Sequence, residues 1–294
     1  MPSHRIALVT ASTARDLDED LIPLESALHE AGADVAIAAW DDASIEWSDF
    51  DLALLRSTWD YTQRLPEFLA WCERTATRTR LHNPLPVLRW NTDKHYLRDL
   101  DKAGVAIVPS AFVEPNENAQ TALTDFLSAH RTDEFVVKPA IGAGSRDAQR
   151  YHADDRDAAL AHVRRLLEGK RSVLLPPYLD RVDEHGETAL IFFDGKFSHA
   201  IRKGPLLRRF EAPTRALFAA EHITPRVPGA SELALAERAL AAIPYGTLLY
   251  ARVDLIAARD GSPRVLELEL TEPSLFFAHA AGAAARFAKA ILAR

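Results

Sequence analysis

Two hydrophobic periods alternate along the chain. The run "RIALVT", Arg5–Thr10, reads as a buried strand, and "DLIPLESALHEAGADVAIAAW" then repeats apolar residues at helical spacing until Gly32 stops them and a second strand begins. A third buried strand, Leu52–Leu55, follows, and a helix is predicted over 66–77 behind Pro66. The two prolines of "LHNPLPVLRWNTDKHYL" predict extended chain and a boundary near residue 88, and Asn91, Thr92 or Asp93 is expected to cap the next helix with Lys94 in its first turn. A lysine there opposes the helix dipole, so a nearby anion would account for it better than helix stability does.

Beyond Gly104, "VAIVPS" and "EFVVKPAIGAGS" are strand-like and flank a helix over about 119–130. The pattern continues with a helix in "DDRDAALAHVRRLLEG", strands in "SVLLPPYL", "ETALIFFDG" and "KFSHAIRK", an arginine-rich loop to about 222, and a helix in "ASELALAERALAAI". Two acid-bearing strands and an Ala-rich helix end the chain. The fold class is α/β.

Composition narrows the partners. The chain has 294 residues, 48% of them hydrophobic, enough for a full core, and a net charge of -7 with Lys and Arg scattered, which leaves no basic stripe for nucleic acid. No run reaches the ~20 apolar residues that cross a bilayer, and the acidic N-terminal stretch is unlike a signal peptide, so a cytoplasmic protein without membrane contact is expected. The single cysteine, Cys72, sits at helical spacing with Phe68, Leu69 and Trp71 and reads as an inert core thiol.

Three constellations could carry chemistry. "FVVKPAIGAGS" puts Lys138 at a strand end before Gly142, Gly144 and Ser145, a pattern that fits either a phosphate cradle or a simple turn; it lacks the Walker spacing. In "RVDLIAARDGSPRVLELEL", Glu267 and Glu269 share one strand face, with Leu266, Leu268 and Leu270 on the other, and Asp254 joins the two acids if the strands form a hairpin. Three such carboxylates demand a cation: Mg²⁺ with phosphate oxygens, or salt bridges from Arg252, Arg202 or Lys203. The cluster Arg56, Ser57, Thr58, Trp59, Asp60 and Tyr61 lies beyond a strand's carboxyl end, where ligands gather, and reads either as substrate contact or as a capped loop.

The order of "RSTWDY", "DKHYLRDLDKAGVAIVPS", "FVVKPAIGAGS", "LLPPYL", "RVDLI" and "LELELTEPS" resembles the ATP-grasp superfamily over nearly the whole chain. The resemblance implies an amino-terminal open α/β domain at 1–88, a central lid lobe at 89–175 and a carboxy-terminal lobe at 176–294, the last two clasping ATP. It implies phosphorylation of a carboxylate to an acyl phosphate that a nitrogen attacks. Lys94 and Lys138 then correspond to the phosphate-binding lysines, and Gly142, Gly144 and Ser145 to the closing loop. Pro177, Tyr178 and Leu179 match the adenine hinge, without the acidic residue often found there, and Glu187 faces the ribose. Asp254, Glu267 and Glu269 match the Mg²⁺ ligands, Glu269 standing where relatives often have Asn.

Arg252 corresponds to the arginine that stabilises the reacting carboxylate, Arg202 and Lys203 serve the transferring phosphoryl group, and Ser274 holds substrate. "LRSTWDY", "NPLPVLRWNTDKHYLRDL" and "ETALIFFDGKFSHAIRKGP" most resemble the small group containing a D-cycloserine-forming O-ureido-D-serine cyclo-ligase. The expected partner is thus a small amino-acid-like molecule, and a homodimer is expected by analogy. An intermolecular dipeptide-type ligase and a non-catalytic ATP sensor are the alternatives.

Overall fold

The computed structural model describes residues 4–207 and 222–294. Its first layer is an all-parallel sheet with strand order β2-β1-β3-β4, formed by β1 Arg5–Thr10, β2 Asp34–Ala39, β3 Leu52–Leu55 and β4 Arg80–His82. Both faces are covered, which is why β1 and β3 are apolar at almost every position. Helix α1, Leu21–Glu30, buries Leu21, Leu24 and Leu28 on one face; α2, Leu65–Ala76, buries Phe68, Trp71, Cys72 and Thr75 on the other. Burial also pushes the Cys72 thiol pKa far up, consistent with an inert core residue.

The chain between the first and second sheets departs from expectation. Residues Leu85–Asn91 form a helix, α3, because Pro86 falls in its first turn, where proline is tolerated. A second helix, α4, Tyr96–Lys102, follows after a turn. Lys94 lies in that turn instead of in a helix, its amide donating to the Ala140 carbonyl at 3.0 Å. The stretch 105–110 forms no strand of its own; Ile107 makes a single parallel bridge to Val265.

The second sheet has the order β5-β8-β6-β7 and is antiparallel: β5 Ala111–Val113, β6 Glu134–Pro139, β7 Gln149–His152 and β8 Val173–Leu175. Helices α5, Ala119–His130, and α6, Arg156–Glu168, cover its back on Phe135, Val137, Val173 and Leu175. Strand alternation turns Val136 and Lys138 to the opposite face.

The third sheet runs β11-β10-β9-β12-β13, again antiparallel: β9 Glu187–Phe193, β10 Lys196–Lys203, β11 Ile223–Arg226, β12 Tyr250–Ala257 and β13 Pro263–Glu269. A short helix, α7 Val182–His185, precedes it, and α8, Ala230–Ala241, covers one face on Leu190, Phe192, Val253 and Leu268. The other face is divided. At one end Ile191, Phe193 and Tyr250 pack under the last helix, α9 Ala283–Leu292, which also meets α1 of the first layer. At the other end the same face carries Glu187, Lys203, Arg252, Asp254, Glu267 and Glu269.

Among the described residues no helix is long and apolar enough to cross a membrane.

Candidate active site

The cavity lies between the charged half of the third sheet and the Val136–Lys138 face of the second. Pairing β12 with β13 sets Asp254 opposite Glu267 and Arg252 opposite Glu269, so one antiparallel register gathers four charged side chains. A bulge after Asp254 leaves Leu266 without a partner across the ladder. Leu266 therefore parts from Leu268 and Leu270, which are buried in the core, and joins Ile256 and Val108 on the cavity wall.

Cations meet the carboxylates directly. Arg252 grips Asp254 with two bonds, Nε to Oδ1 at 2.9 Å and Nη2 to Oδ2 at 3.0 Å, and also donates to Glu269. Lys203 Nζ lies 2.6 Å from Asp254 and 3.1 Å from Glu187. Lys94 Nζ reaches Glu267 at 2.8 Å and the Gly142 carbonyl at 2.7 Å, tying the glycine loop to the acids. Lys138 lines the same cavity but makes no ion pair among the described residues.

These contacts set the charges. Burial works to raise the Asp254 carboxyl, yet Arg252 and Lys203 bring it down to about 2. Glu267 is also lowered, because Lys94 and Lys138 outweigh its burial. Glu269 goes the other way, to about 7, since burial with Asp254 and Glu267 nearby exceeds what Arg252 returns. Burial, then Glu269, pushes Glu272 up to about 8. Burial lowers the Lys138 ammonium, whereas for Lys94 the facing Glu267 more than offsets burial and the ammonium is raised.

The expected metal set is altered. Asp254 is 1% exposed, is closed off by Arg252 and Lys203, and does not line the cavity. Among the described residues no group of three or more His, Cys, Asp or Glu is assembled for a metal. Glu267 and Glu269 remain as two oxygen donors whose side chains, 24% and 26% exposed, face the cavity. Two carboxylates beside a phosphate site suit Mg²⁺, so the donor set fits that ion.

Arg202 does not reach the cavity. It follows strand alternation to the face opposite Lys203, and its guanidinium donates to the His185 carbonyl at 2.7 Å and the Glu184 carbonyl at 2.9 Å. Glu187 does line the cavity, but as Lys203's partner. The loop Gly142, Gly144 and Ser145 lines it as well, with φ of 59° at Gly144 and 57° at Ser145. That left-handed bend explains a glycine at 144. Pro177, Tyr178 and Leu179 line the cavity too, Tyr178 and Leu179 packed with Val108, Ile256 and Leu266. Tyr178 donates its amide to the Glu134 carbonyl and packs under Arg150, while among the described residues the Leu179 amide and the Pro177 carbonyl are bonded to no other backbone group.

The cluster after β3 is divided between two tasks. Trp59 and Tyr61 line the cavity; Ser57, Thr58 and Asp60 do not. Ser57 shares a 2.8 Å hydrogen bond with Thr10, Thr58 is fully buried, and Asp60 accepts from Trp40 at 2.9 Å and Arg64 at 3.0 Å. Ser57 and Asp60 thereby tie the first layer together, because a strand end that is itself covered must satisfy its own polar groups, whereas the buried Thr58 hydroxyl has no partner among the described residues.

Ser274 lines the cavity on a strap, residues 272–277, whose backbone is caught by side chains on all sides. Trp59 Nε1 donates to the Glu272 carbonyl, Arg56 to that of Pro273, Arg252 to that of Ser274, and the His199 ring bonds that of Leu275. Asp20 accepts from the amides of Leu275, Phe276 and Phe277. Asp20, Glu272 and Phe276 lie outside every constellation that the pattern marks. A carboxylate directly before a helix looks like an N-cap, which hides the role of Asp20. The start of the arginine-rich loop, Leu206 and Leu207, lines the cavity; its remainder, 208–221, lies outside the described residues.

A family profile described as D-cycloserine synthetase DcsG, N-terminal domain, matches residues 6–83. The chain is 42% identical to the cycloserine biosynthesis protein DcsG of Streptomyces lavendulae over 98% of each. It is similar to the crystal structure of D-cycloserine synthetase DcsG, with a TM-score of 0.92 at 41% identity over 99% of both chains. Its fold is also that of a D-alanine--D-alanine ligase from Bacillus anthracis, with a TM-score of 0.70 at 17% identity over 99% of this chain and 97% of that one. The full-length identity shows that the chain belongs to the family of the cycloserine biosynthesis protein DcsG, and its fold is that of the ATP-grasp ligases.

Proposed function

We propose that the protein is an ATP- and Mg²⁺-dependent ligase that closes the ring of D-cycloserine from O-ureido-D-serine. The observation that carries this reading is the Arg252–Asp254–Lys203 array facing Lys94 and Lys138 across one cavity, with two further carboxylates between them. Such an array suits neutralising a triphosphate while charge builds on a carboxylate.

Val136, Val108, Ile256 and Leu266 give the purine an apolar slot, and the Leu179 amide and Pro177 carbonyl offer its edge one donor and one acceptor. Lys138 meets phosphate oxygens with no ion pair to give up, and Lys94 brings the glycine loop with it. Glu267 and Glu269 would hold Mg²⁺, which supplies charge neutralisation between the phosphates. Asp254, held by Lys203 and Arg252, stays outside that donor set. Arg252, fixed by Asp254, points its guanidinium toward Ser274 and stabilises the oxyanion at the substrate carboxyl.

The substrate carboxylate attacks the terminal phosphorus and ADP leaves; the ureido nitrogen bonded to oxygen then attacks the acyl carbon and phosphate leaves. Attack within one molecule gains from proximity, which removes the need for a second amine site. The carbamoyl group on that nitrogen must afterwards be lost by hydrolysis, as carbon dioxide and ammonia, for the ring to be cycloserine.

The test is ADP release with Mg²⁺-ATP and O-ureido-D-serine, with products followed by mass spectrometry. ADP with cycloserine is expected. ADP only on adding a second amino acid would replace the reading with an intermolecular ligase, and ATP binding without ADP would replace it with a sensor.

A further inference from the structure

Among the described residues, the carboxylates that line the cavity have cationic partners with one exception. Glu267 faces Lys94, Glu269 faces Arg252, and Glu187 faces Lys203. Glu272 is more deeply buried than these, at 7% exposure, and it lines the same cavity, yet among the described residues it has no ion pair. The Tyr61 side chain belongs to the same cavity wall, and after burial Glu272 is among the acids that hold its hydroxyl pKa up.

A buried carboxylate without a cation is costly, so the Glu272 carboxyl tends to keep its proton, and a cationic ligand beside it is what favours the ionised form. Glu272 is also held in place: its carbonyl is fixed by Trp59 and the next carbonyl by Arg56, so the side chain cannot leave the cavity by a shift of its backbone. Two residues on, the Ser274 carbonyl is bonded to Arg252, the residue assigned to the substrate carboxyl. In an α-amino acid a single carbon joins the carboxyl to the ammonium, so a site for one requires a site for the other close by.

We propose that Glu272, with the Tyr61 hydroxyl, seats the α-ammonium group of the amino-acid substrate. An ammonium supplies a full positive charge and three N–H donors, whereas the neutral ureido end would leave the buried charge uncompensated. The aromatic wall of Trp59 and Tyr61 excludes water from the pair and strengthens it. Glu272 is thereby a specificity residue, selecting α-amino acids over other carboxylic acids. The inference rests on the ligase reading above.

The experiment compares O-ureido-serine with its counterpart lacking the α-amino group, in the wild-type protein and in Glu272→Gln, by ADP release. The wild type is expected to favour the amino substrate strongly in kcat/KM. Glu272→Gln is expected to erase at least about 30-fold of that preference, the size expected when a buried charge loses its partner, with the KM for ATP unchanged. Tyr61→Phe, which removes only the hydroxyl, should narrow the same preference by a smaller factor. A preference preserved in both variants overturns the proposal.

If the wild type releases no ADP with O-ureido-serine, the cyclo-ligase reading fails on its own. The ammonium site is then decided by calorimetry with D-serine and its des-amino counterpart. Equal binding of the two by the wild type overturns it, and selective binding that Glu272→Gln abolishes supports it.

Discussion

Asp20 offers the sharpest mechanical test of how the substrate end is held. Its carboxylate accepts three amides, from Leu275 at 2.6 Å, Phe276 at 2.9 Å and Phe277 at 2.8 Å, and stands 3.8 Å from the buried Arg56 guanidinium. Although it directly precedes α1, it makes no capping bond to that helix, so its replacement reports on the strap and not on the helix start. Asp20→Asn keeps the volume. With its amide oxygen placed where two amides converge, its NH₂ group must face the Phe277 amide, which leaves at least one buried donor without an acceptor, for about 1–3 kcal/mol.

Asp20→Ala leaves all three donors, so about 3 kcal/mol is its lower bound, before the loss of the acid beside Arg56 is counted. Urea unfolding should show both losses as a lowered midpoint with the larger fall for Ala. Steady-state kinetics should show a raised KM for the amino-acid substrate in Asp20→Asn with the KM for ATP unchanged, because Tyr178 and Leu179 pack with Val108, Ile256 and Leu266 and not with the strap. An Asn variant with the parent's midpoint and the parent's substrate KM would refute the reading.

Two further outcomes follow from the charges. Lys138→Ala removes a buried ammonium that has no ion pair to break, so it should weaken ATP binding at least about tenfold, near 1.4 kcal/mol by calorimetry, while thermal stability stays level or rises. Unchanged ATP affinity would contradict its phosphate role. Glu269, raised to about 7 by burial and its acidic neighbours, is mostly protonated at pH about 6 and mostly ionised at pH about 8. Only the ionised form binds a metal, so the apparent Mg²⁺ affinity should climb across that interval in the wild type and lose the Glu269 contribution in Glu269→Gln. Mg²⁺ titrations of ADP release in both proteins check this, and identical pH profiles would sink it.

Local pattern carried much of the site, because strand and helix periods act over a few residues. The alternation in "LELEL" placed Glu267 and Glu269 on one face, and the turn "ARDGSP" implied the hairpin that set Asp254 beside them. Lys138 at the end of β6 and the glycine loop after it were legible for the same reason. The same alternation separates Arg202 from Lys203, so adjacent basic residues on one strand could not both serve one phosphate.

The sequence by itself therefore determined the elements, their order, the family resemblance and the facing acids. Tertiary structure decided which cation each acid meets. Asp254 takes Arg252 from its own strand and Lys203 from β10, with β9 lying between the two strands, a distance no local period encodes. It also decided the fate of the "RSTWDY" loop, sending Trp59 and Tyr61 to the cavity and Ser57 and Asp60 inward, since both directions are open to a loop until a neighbouring layer covers one of them. The strap 272–277 shows the same limit most clearly. Its backbone groups are satisfied by Asp20, Arg56, Trp59, His199 and Arg252, residues from 22 to 257 positions away, because a segment outside any helix or sheet must borrow its hydrogen bonds from wherever the fold brings them.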